Sequence, residues 1–207
     1  NLVFLHCCKV ITQVKIFVAN LTGFNSFFSR SSRRSELLIE HGFKLPNPGD
    51  TRWNYHSRSV ITILQHYQQL RLALNDVVGN EGWDSNSIHQ AEGLINVLNN
   101  VKFIFFLILY NDIFMFTDEL CKILHNQMAD IILCNKEIEN CLEALKNLRN
   151  EDRVNEWLQK SKHILSQHLT SDEIQCKFSI NVCDELKRLS YEILDTVIVT
   201  FESRFKD

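Results

Sequence analysis

The placement of proline constrains the fold of this 207-residue chain more than any other feature. Its two prolines, Pro46 and Pro48, both lie in the loop GFKLPNPGD at residues 42–50. Proline lacks the backbone N–H and breaks the interior of a helix, so the rest of the chain is free of this obstacle. The sequence therefore permits long helices on both sides of one internal loop.

Apolar residues recur at helical spacing on both sides of this loop. Before it, residues 10–30 and 32–42 have helical patterns, and Gly42 is expected to end the second helix. After it, a stripe with spacings of three and four predicts one long amphipathic helix. The members of this stripe are Val60, Ile63, Leu64, Tyr67, Leu70, Leu74 and Val77.

The helical pattern continues beyond a second break at residues 79–87. Ser85 or Ser87 is the expected cap of a helix over residues 88–109. Another helix is predicted over residues 111–126, and strand signals are scarce throughout.

A seven-residue apolar repeat marks the next helix and indicates packing lengthwise against other helices. The repeat consists of Ile131, Ile138 and Leu145, beside Cys134, Cys141 and Leu148. Residues 149–169 predict a further helix, and Thr170 or Ser171 is expected to cap the one after it. The β-branched run VIVTF at 197–201 continues the apolar stripe of the last helix. The predicted architecture is all-α, an elongated bundle of long helices.

The start of the chain and its most apolar run bear on where the protein resides. The chain begins at Asn1 within an apolar stretch that has neither a basic leader nor a small-residue cleavage site. We therefore expect a fragment of a larger intracellular protein. The run FIFFLILY at 103–110 is far shorter than the roughly 20 residues that span a bilayer, so it predicts a buried core helix and no membrane partner.

Seven cysteines are scattered through apolar helical stretches. A reduced cysteine in such a stretch behaves as a small hydrophobic side chain. The odd number and the absence of paired spacings favour free thiols.

The net charge of −3 conceals an asymmetry along the chain. Residues 1–75 carry nine basic and three acidic side chains, a net charge of +6, whereas residues 76–207 carry thirteen and twenty-two, a net charge of −9. Such halves suggest an anionic partner for the basic half. Mutual neutralisation across an internal interface is the alternative.

Patterns for catalysis and metal binding are missing from the sequence. It contains no Gly-rich phosphate loop, no GxSxG and no HExxH. Cys121 and His125 stand four apart on a predicted helix, but structural zinc needs four ligands and no second pair has a suitable spacing. Carboxylate pairs such as Asp118 and Glu119 lie on predicted helix surfaces, where solvated charge is expected. The chain is therefore not expected to contain a catalytic site or a metal site.

Two motifs have the composition of a nucleic-acid site. SRSSRRS at 29–35 gathers Arg30, Arg33 and Arg34 among hydroxyl groups, which together can contact phosphates; a solvated helix terminus is the alternative.

The second motif, TRWNYHSR at 51–58, combines aromatic and basic side chains. Arg52 and Arg58 could hold phosphates while Trp53 stacks on an unpaired base. Alternatively, Trp53 fills the junction between the loop and the helices.

The order of these motifs resembles that of a known family. An apolar NLV helix, KIFVANLTGFNSFFSRSSRRSELL, a proline-containing loop, TRWNYHSR and LNNVKFIFFLILYNDIF together resemble hAT-superfamily transposases. The resemblance is closest to the transposase-derived group labelled zinc finger MYM-type protein 1-like. It covers essentially the whole chain, and the TRW element is its most specific part.

This resemblance implies a helical insertion domain that interrupts a ribonuclease-H-like catalytic domain. Residues 1–50 would be the end of the ribonuclease-H-like region with a basic helical segment, and residues 51–207 the helical insertion domain. In the family, two Asp and one Glu hold divalent metal ions such as Mg²⁺ for strand cleavage and transfer. They lie outside the matched region, so no catalytic residue carries over. The Arg-Trp pair carries over onto Arg52 and Trp53, with the indole stabilising a flipped-out base.

Two functions remain open at this stage. The first is a nuclear, DNA-binding fragment of a hAT-type transposase or of a domesticated derivative, which helps to assemble a homo-oligomeric transposition complex. The second is a catalytically silent helical module that binds other proteins, with Trp53 in a structural role.

Overall fold

The computed structural model describes residues 2–47, 55–125 and 130–205, with the backbone alone at residues 2, 3 and 5. These described residues form eleven α-helices and no β-strand, so the all-α prediction is confirmed. The helices are α1 (Leu2–Val10), α2 (Thr12–Ser29), α3 (Ser32–Glu40), α4 (Tyr55–Gln65), α5 (Tyr67–Gly79), α6 (Ser85–Leu98), α7 (Val101–Leu124), α8 (Ile131–Leu148), α9 (Glu151–Ser166), α10 (Ser171–Lys177) and α11 (Ile180–Phe205).

The chain divides into two compact units. The terminal unit comprises Asn1–Lys15 and Ile108–Asp207, and the central unit comprises Ile16–Leu107. The divisions fall within α2 and α7, whereas the sequence resemblance places a domain boundary at residue 50. The basic motif SRSSRRS and the start of α4 therefore belong to one unit.

In the central unit, α3 begins and ends where the sequence predicts. The Ser31 hydroxyl accepts a hydrogen bond from the backbone N–H of Arg34 at 3.4 Å. Gly42 follows the helix at a φ of 85°, a conformation that side-chain-bearing residues rarely adopt. His41 Nε2 lies 2.7 Å from Asp76 Oδ2 on α5, and this polar contact ties α3 to α5.

The single helix predicted over residues 60–77 is in fact two helices. His66 separates α4 from α5, with φ of −111° and ψ of 29°. Its ring stacks on Phe43, with the ring centroids 4.8 Å apart and the planes 12° apart. The predicted stripe nevertheless remains largely on the inner face. Its buried members are Val60, Ile63, Tyr67, Leu70, Leu74 and Val77.

The cap of α6 is Asp84, so the prediction of Ser85 or Ser87 is wrong. Asp84 Oδ1 accepts a hydrogen bond from the backbone N–H of Ser87 at 2.9 Å, and its Oδ2 accepts one from the Ser87 hydroxyl at 2.6 Å. Both bonds favour the ionised carboxylate and hold its pKa below the usual value. A carboxylate accepts stronger hydrogen bonds than a hydroxyl does. Asp84 is therefore the cap, and Ser87 donates hydrogen bonds to it.

The helix predicted over residues 88–109 is interrupted as well. α6 ends at Leu98 and α7 begins at Val101. The Asn100 side-chain oxygen accepts hydrogen bonds from two backbone N–H groups in the first turn of α7, at 2.9 and 3.3 Å, as an N-cap does. The Tyr67 hydroxyl donates to the Leu98 carbonyl at 3.0 Å and satisfies the end of α6.

The run at 103–110 is buried along its whole length, as the sequence predicts. In the central unit, the Phe103 ring centroid lies 5.5 Å from that of Phe17 and 5.6 Å from that of Phe24. In the terminal unit, Tyr110 meets Phe4 edge to face at 4.9 Å. Aromatic pairs at these distances add stability beyond their buried area.

The terminal unit buries Trp157 of α9 completely. Its indole Nε1–H donates a hydrogen bond to Asp112 Oδ2 on α7 at 2.8 Å, so the polar atom of the ring is satisfied. Large buried side chains dominate core energetics, and this residue has the largest fully buried side chain among those described.

The predicted seam of α8 is buried only in its second half. Cys141, Leu145 and Leu148 are buried in the terminal unit, where α8 packs against α11. Ile131, at the start of the helix, is 75% exposed. The heptad spacing thus identifies the correct face of the helix but not how far its packing extends.

All seven cysteines lie within the described residues and are free, as predicted. Burial raises the pKa of the Cys7 and Cys141 thiols to about 12 and that of Cys8 to about 11. The thiolate is the reactive form of cysteine, so these three side chains serve as apolar packing groups.

Among the described helices, none by itself has the length and apolar character to cross a bilayer. α6 and α7 meet that test only when taken together, and they are bent by 67° relative to each other.

The cap of α10 provides a test of local stability. Thr170 and Glu173 form a reciprocal capping box, with the Thr170 N–H donating to Glu173 Oε2 at 2.8 Å. We expect Thr170→Ala to lower the free energy of unfolding by about 1 kcal/mol, because an N–H group at the helix start loses its acceptor. Urea unfolding measures this loss. Ser171→Ala is the control and should be close to neutral; equal losses in both variants would contradict the assignment.

Candidate nucleic-acid interface

The end of α2 and the start of α3 bring three predicted site residues together. Arg30 lies in the turn between the two helices, and Arg33 and Arg34 lie in the first turn of α3. The Ser35 hydroxyl donates a hydrogen bond to the Phe28 carbonyl at 2.8 Å and holds this tight connection. The motif SRSSRRS therefore forms one basic end of the central unit.

Arg33 contacts the loop between α5 and α6. Its Nη1 donates a hydrogen bond to the Gly82 carbonyl at 2.7 Å, and its guanidinium carbon lies 4.0 Å from the centroid of the Trp83 ring. Such a cation–π contact contributes about 0.5–1 kcal/mol at an exposed site. Arg33 itself stays exposed, so part of its guanidinium remains accessible to an anion.

Arg34 is turned further inward. Its guanidinium lies 4.4 Å from the Phe27 ring centroid, and its buried Nε has no hydrogen-bond partner among the described residues. Burial lowers the pKa of the guanidinium, the Asp84 carboxylate acts in the opposite direction, and Arg30 adds to the lowering. The influence of Arg30 indicates that two positive charges lie close together at this end of the unit.

Arg58 lies in the first turn of α4, which buried hydrogen bonds hold in place. The Asn25 side-chain N–H₂ donates to the Ser59 hydroxyl at 3.0 Å, and that hydroxyl donates to the Tyr55 carbonyl at 2.8 Å. These bonds fix the first turn of α4 against α2. Arg58 is exposed on that turn, beside Ser59.

The other three described side chains of the TRWNYHSR motif are buried or half-buried, and Ser57 is one of them. Tyr55 is buried, and burial raises the pKa of its hydroxyl. His56 is half-buried, and burial lowers the pKa of its imidazole. Tyr55 therefore belongs to the packing of α4, and His56 is partly accessible.

Arg52 and Trp53 lie outside the described residues, which stop at residue 47 and resume at residue 55. Asn47, the last described residue before this gap, lines a pocket of about 200 Å³ together with Asn25. Asn25 also donates a hydrogen bond to Ser59 near the start of α4. The structure thus leaves the predicted roles of Arg52 and Trp53 as predictions.

Trp83 is the candidate residue that the sequence reasoning missed. The stretch GNEGWDSNS predicts a chain break, and nothing in the sequence connects the Trp83 indole with Arg33, which is 50 residues away. An aromatic ring inside a polar, glycine-containing loop was the available signal. Trp83 is half-buried beneath the Arg33 guanidinium.

The charge asymmetry along the sequence does not coincide with the division into two units. The central unit has eight basic and seven acidic side chains in its sequence, a net charge of only +1. Asp76 pairs with His41, and Asp84 lies near Arg34. The proximity of Asp84 to Arg34 is one contact of the kind that the neutralisation alternative predicts. Three of the eight basic side chains of this unit, Arg30, Arg33 and Arg34, lie at the α2–α3 end.

Metal ligands do not converge in the part of the chain that the structure describes. No group of three or more His, Cys, Asp or Glu side chains has a geometry that could hold an ion there. His125 Nδ1 lies 2.7 Å from the Cys121 carbonyl, so that ring nitrogen is engaged with its own helix.

Comparisons with protein-family models, with curated proteins and with solved structures gave no significant match. The class that the fold itself defines is that of all-α proteins.

Proposed function

We propose that this chain is a DNA-binding helical part of a hAT-type transposase or of a domesticated derivative. Its role would be to hold DNA in the nucleus while a homo-oligomeric protein–DNA complex assembles. The observation that supports this proposal best is the gathering of Arg30, Arg33 and Arg34 at one end of the central unit. The family resemblance of the sequence points in the same direction.

The arginines have different roles in this proposal. Arg30 and Arg33 are exposed and offer guanidinium groups to phosphate oxygens. The contacts of Arg33 with Gly82 and Trp83 orient its planar group in advance, which reduces the entropy lost on binding. Arg34 is packed against Phe27 and raises the local positive potential. These contacts position the DNA backbone and carry no base specificity.

The proposal includes no catalytic step in this chain. The family resemblance implies divalent metal ions such as Mg²⁺ for the complete enzyme, but the described carboxylates are not arranged to bind one. Strand cleavage would require acidic residues outside the matched region.

The salt dependence of DNA binding tests the proposal through Arg30→Gln. We expect the slope of log K against log salt concentration to become shallower by about 0.9, because one phosphate contact is lost. Fluorescence anisotropy with a labelled duplex that has an unpaired end measures this slope. Arg188→Gln on α11 is the matched control, since it removes an exposed arginine from the terminal unit. Equal slopes for the Arg30 variant and the unaltered chain would contradict the proposal.

A helical protein-binding module is the second candidate function. Three consecutive aliphatic residues at the start of α8 are exposed: Ile131 (75%), Ile132 (73%) and Leu133 (46%). Contiguous exposed apolar groups of this kind mark interaction surfaces. If the unaltered chain fails to bind DNA at low salt, the first function is ruled out, and protein binding is the candidate that these exposed residues still support.

A further inference from the structure

An open groove runs between α2 and α6 in the central unit. Its volume is about 390 Å³. Four residues line it on each side at spacings of i, i+3, i+4 and i+7, the spacing of residues that share one face of a helix. These residues are Gly23, Ser26, Phe27 and Arg30 from α2 and its C-terminal end, and Gln90, Gly93, Leu94 and Val97 from α6.

The two helices that line the groove run in opposite directions. A side chain placed on Gly23 would meet Leu94 Cδ2 at 3.7 Å, which locates the middle of α2 beside the later part of α6. At the other end, Arg33 contacts Gly82, shortly before α6 begins. The groove therefore has one end of small and apolar residues and another end at Arg30 and Gln90.

Gly93 has no evident packing role among the described residues. It is exposed in the interior of α6, and a Cβ atom built there meets no described heavy atom within 4 Å. Glycine in a helix interior is less favourable than alanine by roughly 0.5–1 kcal/mol. Gly93 is therefore unfavourable for the helix, and its missing side chain leaves the groove open at this position.

The chemistry of the groove defines its occupant. Phe27, Leu94 and Val97 form apolar parts of its wall, and the small residues allow a helix backbone to approach closely, as in other helix–helix contacts. Arg30 is the charged member of the lining, and it is exposed and close to the positive charge of Arg34. An acidic side chain at that end would complement both charges.

We propose that this groove binds an amphipathic α-helix of a partner protein. The partner helix carries apolar side chains at i, i+3 or i+4, and i+7, and a carboxylate at the end that meets Arg30. This mode of recognition places an apolar helix face in a groove. It goes beyond the proposed DNA binding, because a DNA backbone needs hydrogen-bond donors along its path and the apolar part of this groove offers few.

Synthetic helices provide the probe. Two stapled peptides carry leucines at the stated spacing and a glutamate at either the N-terminal or the C-terminal end, and two matched peptides carry lysine in place of glutamate. We expect one glutamate peptide to bind the 207-residue chain and to shift the amide NMR signals of Gly23 and Gly93. Its lysine counterpart should bind about tenfold more weakly, a difference of about 1.4 kcal/mol.

Gly93→Leu tests the location of the site. Leucine favours a helix more than glycine does, and open space surrounds the position, so the melting temperature should be unchanged or higher. Peptide binding should fall at least about tenfold because the side chain fills the groove. Asn96→Leu adds the same side chain at an exposed position of α6 outside the groove lining and should leave peptide binding unchanged.

Three results would overturn the helix-binding proposal. They are the absence of NMR shifts with all four peptides, equal binding by the unaltered chain and Gly93→Leu, and a loss of DNA affinity in Gly93→Leu without any peptide binding. The last result would assign the groove to DNA. Loss of peptide binding with unchanged DNA affinity would support the proposal independently of the DNA-binding function.

Discussion

Replacing Trp157 with alanine is expected to lower the free energy of unfolding by about 3–5 kcal/mol, as for other buried large-to-small substitutions. The side chain is fully buried, so its removal leaves a cavity as well as a loss of apolar burial. The change also removes the donor that lies 2.8 Å from Asp112 Oδ2. Because whole domains are stable by only about 5–15 kcal/mol, this loss is a large fraction of the total. Denaturant unfolding followed by circular dichroism measures it.

A second variant separates the packing of Trp157 from its hydrogen bond. Trp157→Phe keeps an aromatic ring but removes the N–H donor, so we expect a smaller loss of about 1–3 kcal/mol from the unsatisfied acceptor. The Trp157→Phe variant also allows the free energy of unfolding to be measured if the alanine variant fails to fold. Losses below about 1 kcal/mol in both variants would contradict the buried position of this indole.

Replacing Trp53 with alanine is expected to weaken binding to branched or unpaired DNA ends by up to about 1–3 kcal/mol, the value of stacking one base on an aromatic side chain. This prediction comes from the TRW element and the family resemblance, since Trp53 lies outside the described residues. If Trp53 stacks on a DNA base in this way, its replacement should leave the melting temperature of the protein nearly unchanged. Anisotropy titrations and thermal unfolding of the same variant measure both quantities.

A structural role for Trp53 predicts the opposite pair of results. Truncating a fully buried tryptophan costs about 3–5 kcal/mol of stability, which would appear in thermal unfolding with and without DNA. Trp157→Ala supplies the stability reference for such a residue in this chain. Unchanged DNA affinity together with a large loss of stability in Trp53→Ala would rule out the base-stacking role.

Several local features could be predicted because neighbours in the sequence determine them. The Thr170 cap, one of the two residues expected there, and the turn at Gly42 depend on residues within one helical turn. Similarly, the burial of residues 103–110 follows from a run too apolar to remain in water and too short to cross a bilayer.

The sequence does not predict a helix end where a residue distant in the sequence or an unexpected cap determines it. The stripe over 60–77 continues across His66, whose ring stacks on Phe43, more than twenty residues earlier in the chain. Likewise, α6 ends at Leu98, whose carbonyl accepts a hydrogen bond from Tyr67. Periodicity reports which face of a segment is apolar; it does not report contacts that interrupt the backbone.

The candidate site illustrates the same limit. The sequence identified Arg30, Arg33 and Arg34 as a basic cluster, and the structure does place them at one end of one unit. The sequence could not reveal that Trp83 lies beneath Arg33 or that Asp84 lies near Arg34. It also could not reveal that α6 lines a groove that ends at Arg30. Each of these relations joins residues about 50 or more positions apart.

The sequence by itself determined that this chain is helical, because the confinement of both prolines to one loop and the spacing of apolar residues are local properties. Only the tertiary structure decided which charges remain available to a partner. Electrostatic potential depends on distance in space, and folding brings Asp84, which caps α6, near Arg34 of α3. Residues 1–75 carry a net charge of +6 and the central unit carries +1, because the unit leaves out Lys9 and Lys15 and includes four acidic side chains and one basic side chain beyond residue 75. Its described exposed arginines lie at the α2–α3 end and in the first turn of α4.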